Sequence, residues 1–377
     1  MKRFLIVKLW ALGDILMATP VLRALKQHFP DCHITWFVEK AHMDALADNP
    51  LIDELIAFDT RTWRQSLDHG NLIAYFRTSL RLYRDLKRHR FDAVLNLTPE
   101  KWWSIWFNVA PIRVGLFPSM RRKWMRRFYT QAIFRSHDSR LHNTTHYLQA
   151  VRGLGIPGPF DERMVLSIRE EDRNAVRAFL EAEADYDPQK PLLVLHPGTS
   201  MPSKCWPTDL YAAVVEALNN RVTVVITGSP KEAPLADAIL AVLPPDMPRP
   251  LVATGKLDRL SQTAALIESS SAVVTGDTSA LHIASALGTP LVGLYGSTRP
   301  GRNAPLFGTN VLLYDDHVSC APCRKSQCPL KGPDHMRCQK AVTPSQVLSA
   351  LQILLADCQK DPLPWSLGDT AVIQGPP

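Results

Sequence analysis

Hydrophobic and polar positions follow two rhythms along this chain. Short, nearly unbroken apolar runs read as buried parallel strands: RFLIVKL (3–9), HITWFV (33–38), ELIAF (54–58), DAVLNL (92–97) and IRVGLF (112–117). Amphipathic stretches with a helical period separate them. A second series then begins with LLVLH (192–196), VTVVIT (222–227), AVVTG (272–276) and LVGLYG (291–296), with helices expected over 208–219, 231–242, 259–268 and 278–287. Strand and helix alternating in this way predict an α/β chain built from βα units around parallel sheets. The periodicity lapses and turn formers gather at GLGIPGPF (153–160) and DYDPQKP (185–191). The expected division is a first domain over 1–165, a second over 166–358, and a mobile tail over 359–377. Two open α/β domains in tandem face each other across a cleft, and in such sheets ligands bind beyond the carboxyl ends of strands, beside helix N-termini.

Composition adds limits. With 377 residues, 46% hydrophobic and 21% charged, the chain can bury two cores and is neither disordered nor a membrane bundle. No apolar run reaches the roughly 18 residues of a spanning helix. The opening MKRFLIVKLWALGDILMA imitates a signal peptide, but Lys8 and Asp14 interrupt it and a strand-turn-helix accounts for it better, so a cytoplasmic location is expected.

Charge is uneven. Residues 1–165 hold 25 Lys and Arg against 15 Asp and Glu, whereas the rest holds 18 against 21. The first half therefore faces something anionic. Its densest patch is RRKWMRRF, where Arg121, Arg122, Lys123, Arg126 and Arg127 flank Trp124 and Met125, with Lys101 upstream in KWWSIWF. A basic helix interleaved with aromatics suits a membrane surface or a phosphorylated ligand; a solvated helix face has the same composition.

Two nucleotide motifs are missing. After the first strand only Gly13 stands where a dinucleotide fold needs G-x-G-x-x-G, and GSTRPGRN (296–303) has Arg302 and Asn303 where a P-loop needs Lys and Ser or Thr. Polar groups collect instead at four strand ends. Asp14 follows Gly13 where strand becomes helix, placed to cap the helix, to act as a general base, or both. HPGTSMPSKCWP gathers Thr199, Ser200 and Lys204, hydroxyls and an ammonium as an anion site requires. In TGSPKEAP, Gly228 permits close approach of a ligand and Glu232 lies in a first helical turn, where a carboxylate also suits the helix dipole. VVTGDTSALHIASALG places Asp277, Thr278 and Ser279 at a helix start that can hold a phosphate on free amides, with His282 four residues after Thr278 on the same face.

Taken in order, VKLWALGDILMATP, HPGTSMPSKCWP, TGSP and GDTSALHIASALGTPLVGLYGSTRP resemble the ADP-heptose:lipopolysaccharide heptosyltransferases, glycosyltransferases of the GT-B fold, over residues 1 to about 355. The resemblance implies inverting transfer of a heptose from a nucleotide diphosphate sugar to a hydroxyl of the inner-core saccharide, with no divalent metal in catalysis. It implies Asp14 as base and Thr199, Ser200 and Lys204 around the diphosphate. Glu232 with Gly228 falls on the nucleotide side, and Asp277, Thr278, Ser279 and His282 on the sugar-phosphate loop. The expected partners are an ADP-sugar, a lipid-linked phosphorylated saccharide and the inner membrane surface, with the protein peripheral on its cytoplasmic side, residues 98–130 shaping the acceptor site, and no nucleic acid. The family has Gly where this chain has Ser279, a substitution that would be strained if the position required positive φ. Alternatives are transfer of a heptose, or of a sugar from another nucleotide sugar, to a protein or a different glycan, or a non-catalytic basic module that binds anions.

Four of the seven cysteines, Cys320, Cys323, Cys328 and Cys338, are spaced C-x2-C-x4-C-x9-C. In a cytosolic chain this spacing suits a structural zinc or iron, reduced thiols, or disulfides. Cys32, Cys205 and Cys358 read as isolated thiols.

Overall fold

The computed structural model describes residues 1–99, 102–117, 120–135, 141–356 and 372–374. The chain divides into two compact units, Met1–Ser167 and Ile168–Pro377. The first contains β1 (Arg3–Val7), α1 (Leu12–Ala18), α2 (Pro20–His28), β2 (His33–Glu39), β3 (Glu54–Phe58), α3 (Thr60–Asp68), α4 (Leu72–Arg88), β4 (Ala93–Asn96), β5 (Ile112–Phe117), β6 (Gln131–Phe134) and α5 (Asn143–Arg152). Its sheet runs β3-β2-β1-β4-β5-β6, every pair parallel. The five strands expected here are present, and β6 is an additional short one.

The second unit contains α6 (Glu170–Ala182), β7 (Leu192–His196), α7 (Thr208–Leu218), β8 (Thr223–Ile226), α8 (Ala233–Ala241), β9 (Leu251–Val252), α9 (Leu260–Glu268), β10 (Ala272–Gly276), α10 (Ser279–Leu287), β11 (Leu291–Leu294), β12 (Asn310–Leu313), α11 (Arg337–Lys340), α12 (Pro344–Leu355) and β13 (Val372–Gln374). The order is β13-β12-β11-β10-β7-β8-β9, with only β13, from the expected tail, antiparallel. Leaving β13 aside, both sheets repeat the doubly wound order in which the first strand sits centrally and the fourth returns beside it.

Central strands buried on both faces read as continuous apolar runs, which is why β7, β10 and β1 beyond Arg3 are mostly aliphatic and buried. In the first unit Leu5, Val7, Phe37 and Val94 pack with Trp63, Tyr75, Trp103 and Phe107. In the second, Leu193, Leu195, Val274 and Val292 pack under α7 and α12. This doubly wound arrangement places a switch point beyond β1 and β4 in one unit and beyond β7 and β10 in the other.

Candidate active site

The carboxyl end of β1 leads directly to the first candidate. Lys8 follows the strand and is nearly fully buried. α1 begins four residues later with Asp14 in its first turn. The helix N-cap is Ala11, and no side chain caps it, so the capping role open to Asp14 from its position is not realised. Ala11 takes φ 63° and ψ 99°, a conformation that costs a residue with a Cβ on the order of 1–3 kcal/mol. The turn it makes brings Asp14 back over Lys8, with Nζ 3.3 Å from Oδ2 and the Asp14 side chain 31% exposed. Beneath the pair, the Lys8 ammonium lies 5.4 Å from the centre of the Tyr147 ring on α5. Burial, opposed by the Lys8 ammonium and aided by the Asp14 carboxylate, pushes the Tyr147 phenol up to about 12. The site thus presents a carboxylate clamped at one oxygen by a buried cation on the end of a rigid strand. Lys8 was not among the expected site residues; a charge breaking a buried apolar run was the signal for it.

The basic stretch of the first unit, expected as a basic helix interleaved with aromatics, is helical and tightly wound. Residues Met120–Phe128 form a 3-10 helix, in which Met125 is buried against Phe117 and Tyr129. Arg126 and Arg127 are exposed beside a half-exposed Trp124. Lys101 lies outside the described residues, as do the side chains of Arg121, Arg122 and Lys123.

In the second unit β7 and β10 are neighbours, with His196 opposite Thr275 at their carboxyl ends. Two loops far apart in sequence therefore leave the sheet side by side. Lys204 Nζ donates to Asp277 Oδ2 at 2.8 Å and to the Asp277 carbonyl at 3.3 Å. Lys204 and Asp277 are 15% and 7% exposed, so the pair is shielded and well oriented. Thr278 is the N-cap of α10, extended and without a side-chain cap bond, which leaves its hydroxyl and the first helical amides available to a ligand. Ser279 is the first helical residue and is not among the positive-φ residues, so the change from the family glycine brings no backbone strain. His282 is buried one turn further along. Thr199 is used locally: its hydroxyl donates to the Met201 carbonyl at 2.7 Å and lies 3.4 Å from Cys205 Sγ. Ser200 is exposed at the loop tip.

β8 supplies the next wall. Glu232 closes a capping box, accepting from the Ser229 amide at 2.7 Å and hydroxyl at 2.8 Å. Its carboxylate also occupies the space a Cβ on Gly198 would take, 1.9 Å from Oε1, and sits 3.1 Å from the corresponding point on Gly228. Gly198, not singled out from the sequence, is therefore required by the approach of Glu232. Nearby, burial holds the His196 imidazole below its ordinary 6.5, against the pull of the Glu232 charge.

The cysteine-rich loop buttresses this site. Ser203, next to Lys204, is tied to it by its amide to the Ser326 carbonyl at 3.1 Å and by its hydroxyl to the Lys325 carbonyl. Gln339 Nε2 donates to the Ser203 carbonyl at 3.1 Å. Cys320, Cys323, Cys328 and Cys338 line one cavity of about 280 Å³ together with Ser203 and Ser297. Burial pushes the Cys338 thiol up and the three neighbouring sulfurs add to it. The six described cysteines are free thiols, and Cys358 lies outside the described residues. Among the described residues no three His, Cys, Asp or Glu side chains are drawn together as a ligand set.

Two doubly wound units, one with a clamped carboxylate at its switch point and the other with a lysine and a helix N-terminus at its own, place polar groups where open α/β sheets bind their ligands. The family model of glycosyltransferase family 9 (heptosyltransferase) matches residues 79–333, and the chain belongs to that family. It is 27% identical to the lipopolysaccharide core heptosyltransferase OpsX of Haemophilus influenzae, over 84% of this chain and 86% of that one. It is 26% identical to lipopolysaccharide heptosyltransferase 1 of Pseudomonas aeruginosa, over 94% and 98%. The solved ADP-heptose LPS heptosyltransferase II of Escherichia coli superposes with a TM-score of 0.73 at 22% identity, covering 95% of this chain and 99% of that one, which establishes the GT-B fold. The protein is a glycosyltransferase of the heptosyltransferase family.

Proposed function

We propose that this enzyme transfers a heptose from ADP-heptose to a hydroxyl of the lipopolysaccharide inner core, inverting the anomeric centre and using no divalent metal in the chemical step. The observation that carries the reading is the pairing of Lys204 with Asp277 at the start of α10, beyond two adjacent strand ends. The names of the two curated relatives and of the solved structure support the acceptor and the donor.

Breaking the anomeric C–O bond leaves positive character on carbon and charge on the departing diphosphate. Lys204 and the amides that open α10 answer that charge, with Thr199, Ser200, Thr278, Ser279 and His282 around the diphosphate and sugar. Asp277 holds Lys204 in place; the ammonium then stands between that carboxylate and the anionic ligand. Glu232 and the Gly228 approach serve the nucleotide. Asp14 takes the proton of the acceptor hydroxyl as its oxygen bonds to the anomeric carbon, and ADP leaves with the electron pair of the broken bond. Lys8 holds Asp14 in the orientation that proton transfer needs. Arg126 and Arg127, with the basic residues before them, receive a phosphorylated, lipid-linked saccharide at the cytoplasmic face of the inner membrane. Among the described residues no helix is long and apolar enough to cross a membrane.

For the cysteine loop the reading is a structural zinc or iron held by Cys320, Cys323, Cys328 and Cys338, which would draw in thiols that already share one cavity.

Thermal shift with ADP, UDP, GDP and NAD tests the donor side. ADP at 100 times its Kd stabilises by about 2.7 kcal/mol; equal response to all four nucleotides, or to none, removes the donor assignment.

A further inference from the structure

The helix α4, which no part of the proposed chemistry uses, carries an unusual surface. Tyr75, Ser79, Leu82 and Leu86 bury its inner stripe. At about 100° per residue, Leu72, Ile73, Phe76 and Leu80 form a second apolar band beside that stripe. This band is in water: the four are 52%, 83%, 52% and 40% exposed. They are four of the nine large hydrophobic residues exposed among the described residues, gathered on one helix. Next around the helix come Arg77, Arg81, Arg84 and Arg88, all exposed. Asp85 is the one acid of the helix and is itself paired with Arg88 at 3.0 Å.

We infer that α4 is a membrane-docking element that lies on an anionic lipid surface. An apolar band flanked by a row of guanidinium groups is the pattern of an interfacial helix: the band enters the acyl boundary and the arginines reach back to headgroup phosphates. The occupant is fixed by charge complementarity. A protein-binding helix would need partners for four arginines along one edge, whereas a lipid surface offers phosphate at every position. The excess of 25 basic over 15 acidic residues in 1–165 points the same way. The inference rests on the reading that the acceptor is lipid-linked, and it moves the membrane contact away from the basic stretch around Trp124.

Cosedimentation of the full chain with vesicles of phosphatidylglycerol and phosphatidylcholine, against phosphatidylcholine alone, tests it. The wild type binds the anionic vesicles. Ile73→Glu with Phe76→Glu lowers binding at least roughly tenfold, and Arg77→Glu with Arg84→Glu lowers it by roughly fivefold for each arginine removed. Both variants keep the wild-type melting temperature and the rate of transfer to a deacylated, water-soluble core saccharide. Vesicle binding that is absent in the wild type, or unchanged in both variants, overturns the inference. So does a wild-type dimer in sedimentation velocity that these variants convert to monomer while vesicle binding persists. Failure of the wild type to glycosylate the soluble saccharide strikes at the proposed function instead, and the vesicle result is read separately.

Discussion

Replacing Lys204 by Met should separate the structural and ligand-binding roles of one ion pair. Lys204 Nζ lies 2.8 Å from Asp277 Oδ2, and the side chains are 15% and 7% exposed. Removing the ammonium strands a carboxylate in a place water scarcely reaches. Breaking one partner of such a pair costs about 3–5 kcal/mol. At about 2–4 °C per kcal/mol for a domain of this size, the second unit should melt roughly 10 °C lower. The double variant Lys204→Met with Asp277→Asn removes the stranded charge and should recover most of that loss. It should not recover ADP binding, because a charge-assisted hydrogen bond to phosphate, about 1.5–3 kcal/mol, is gone in both variants. Calorimetric melting with titration calorimetry of ADP distinguishes the two quantities. The reasoning is refuted if the single variant melts with the wild type, or if the double variant regains nucleotide affinity along with stability.

Three further outcomes follow from the same geometry. Gly198→Ala puts a Cβ where Glu232 Oε1 now sits, 1.9 Å away; the protein should fold, lose about 1 kcal/mol as the Ser229 cap opens, and bind ADP more weakly, so an unchanged ADP titration would detach Glu232 from the nucleotide. Burial holds the His196 imidazole below 6.5, so under pH 6.5 the unfolded chain takes up a proton the folded chain does not, and stability falls with acidification until the folded-state value is passed. His196→Gln should flatten that part of the melting-temperature profile, and an identical profile contradicts the assignment. Elemental analysis of protein purified without added metal should find about one zinc or iron per chain, with chelation lowering both the melting temperature and ADP affinity through Ser203; a metal-free protein unmoved by chelator leaves the cysteine loop as plain thiols.

Most strand positions were legible because the central strands are continuous apolar runs with polar turns behind them. β7 and β10 end in His196 and Gly276, and the residues that follow declared themselves by type. β6, β9 and β12 were not expected; β9, at two residues, is too short to carry a period. The pairing of Lys204 with Asp277 spans 73 positions and depends on β10 returning beside β7, which a single sequence does not encode locally. Asp14 was found as a candidate, but its place in the first turn of α1 depends on the unusual backbone of Ala11, a residue whose type gives no hint of positive φ. In the basic stretch, the sequence suggested a helix but not its 3-10 winding, nor the burial of Met125 with Phe117 and Tyr129, which come from elements outside the stretch's own charge pattern.

Heptose transfer itself is read by mass spectrometry of a heptose-free lipopolysaccharide core incubated with ADP-heptose and purified protein. The wild type should yield a product heavier by one heptose with matching release of ADP, and Asp14→Asn should lose that product while ADP still binds. An acceptor left unmodified by the wild type, or near-normal turnover in Asp14→Asn, would contradict it.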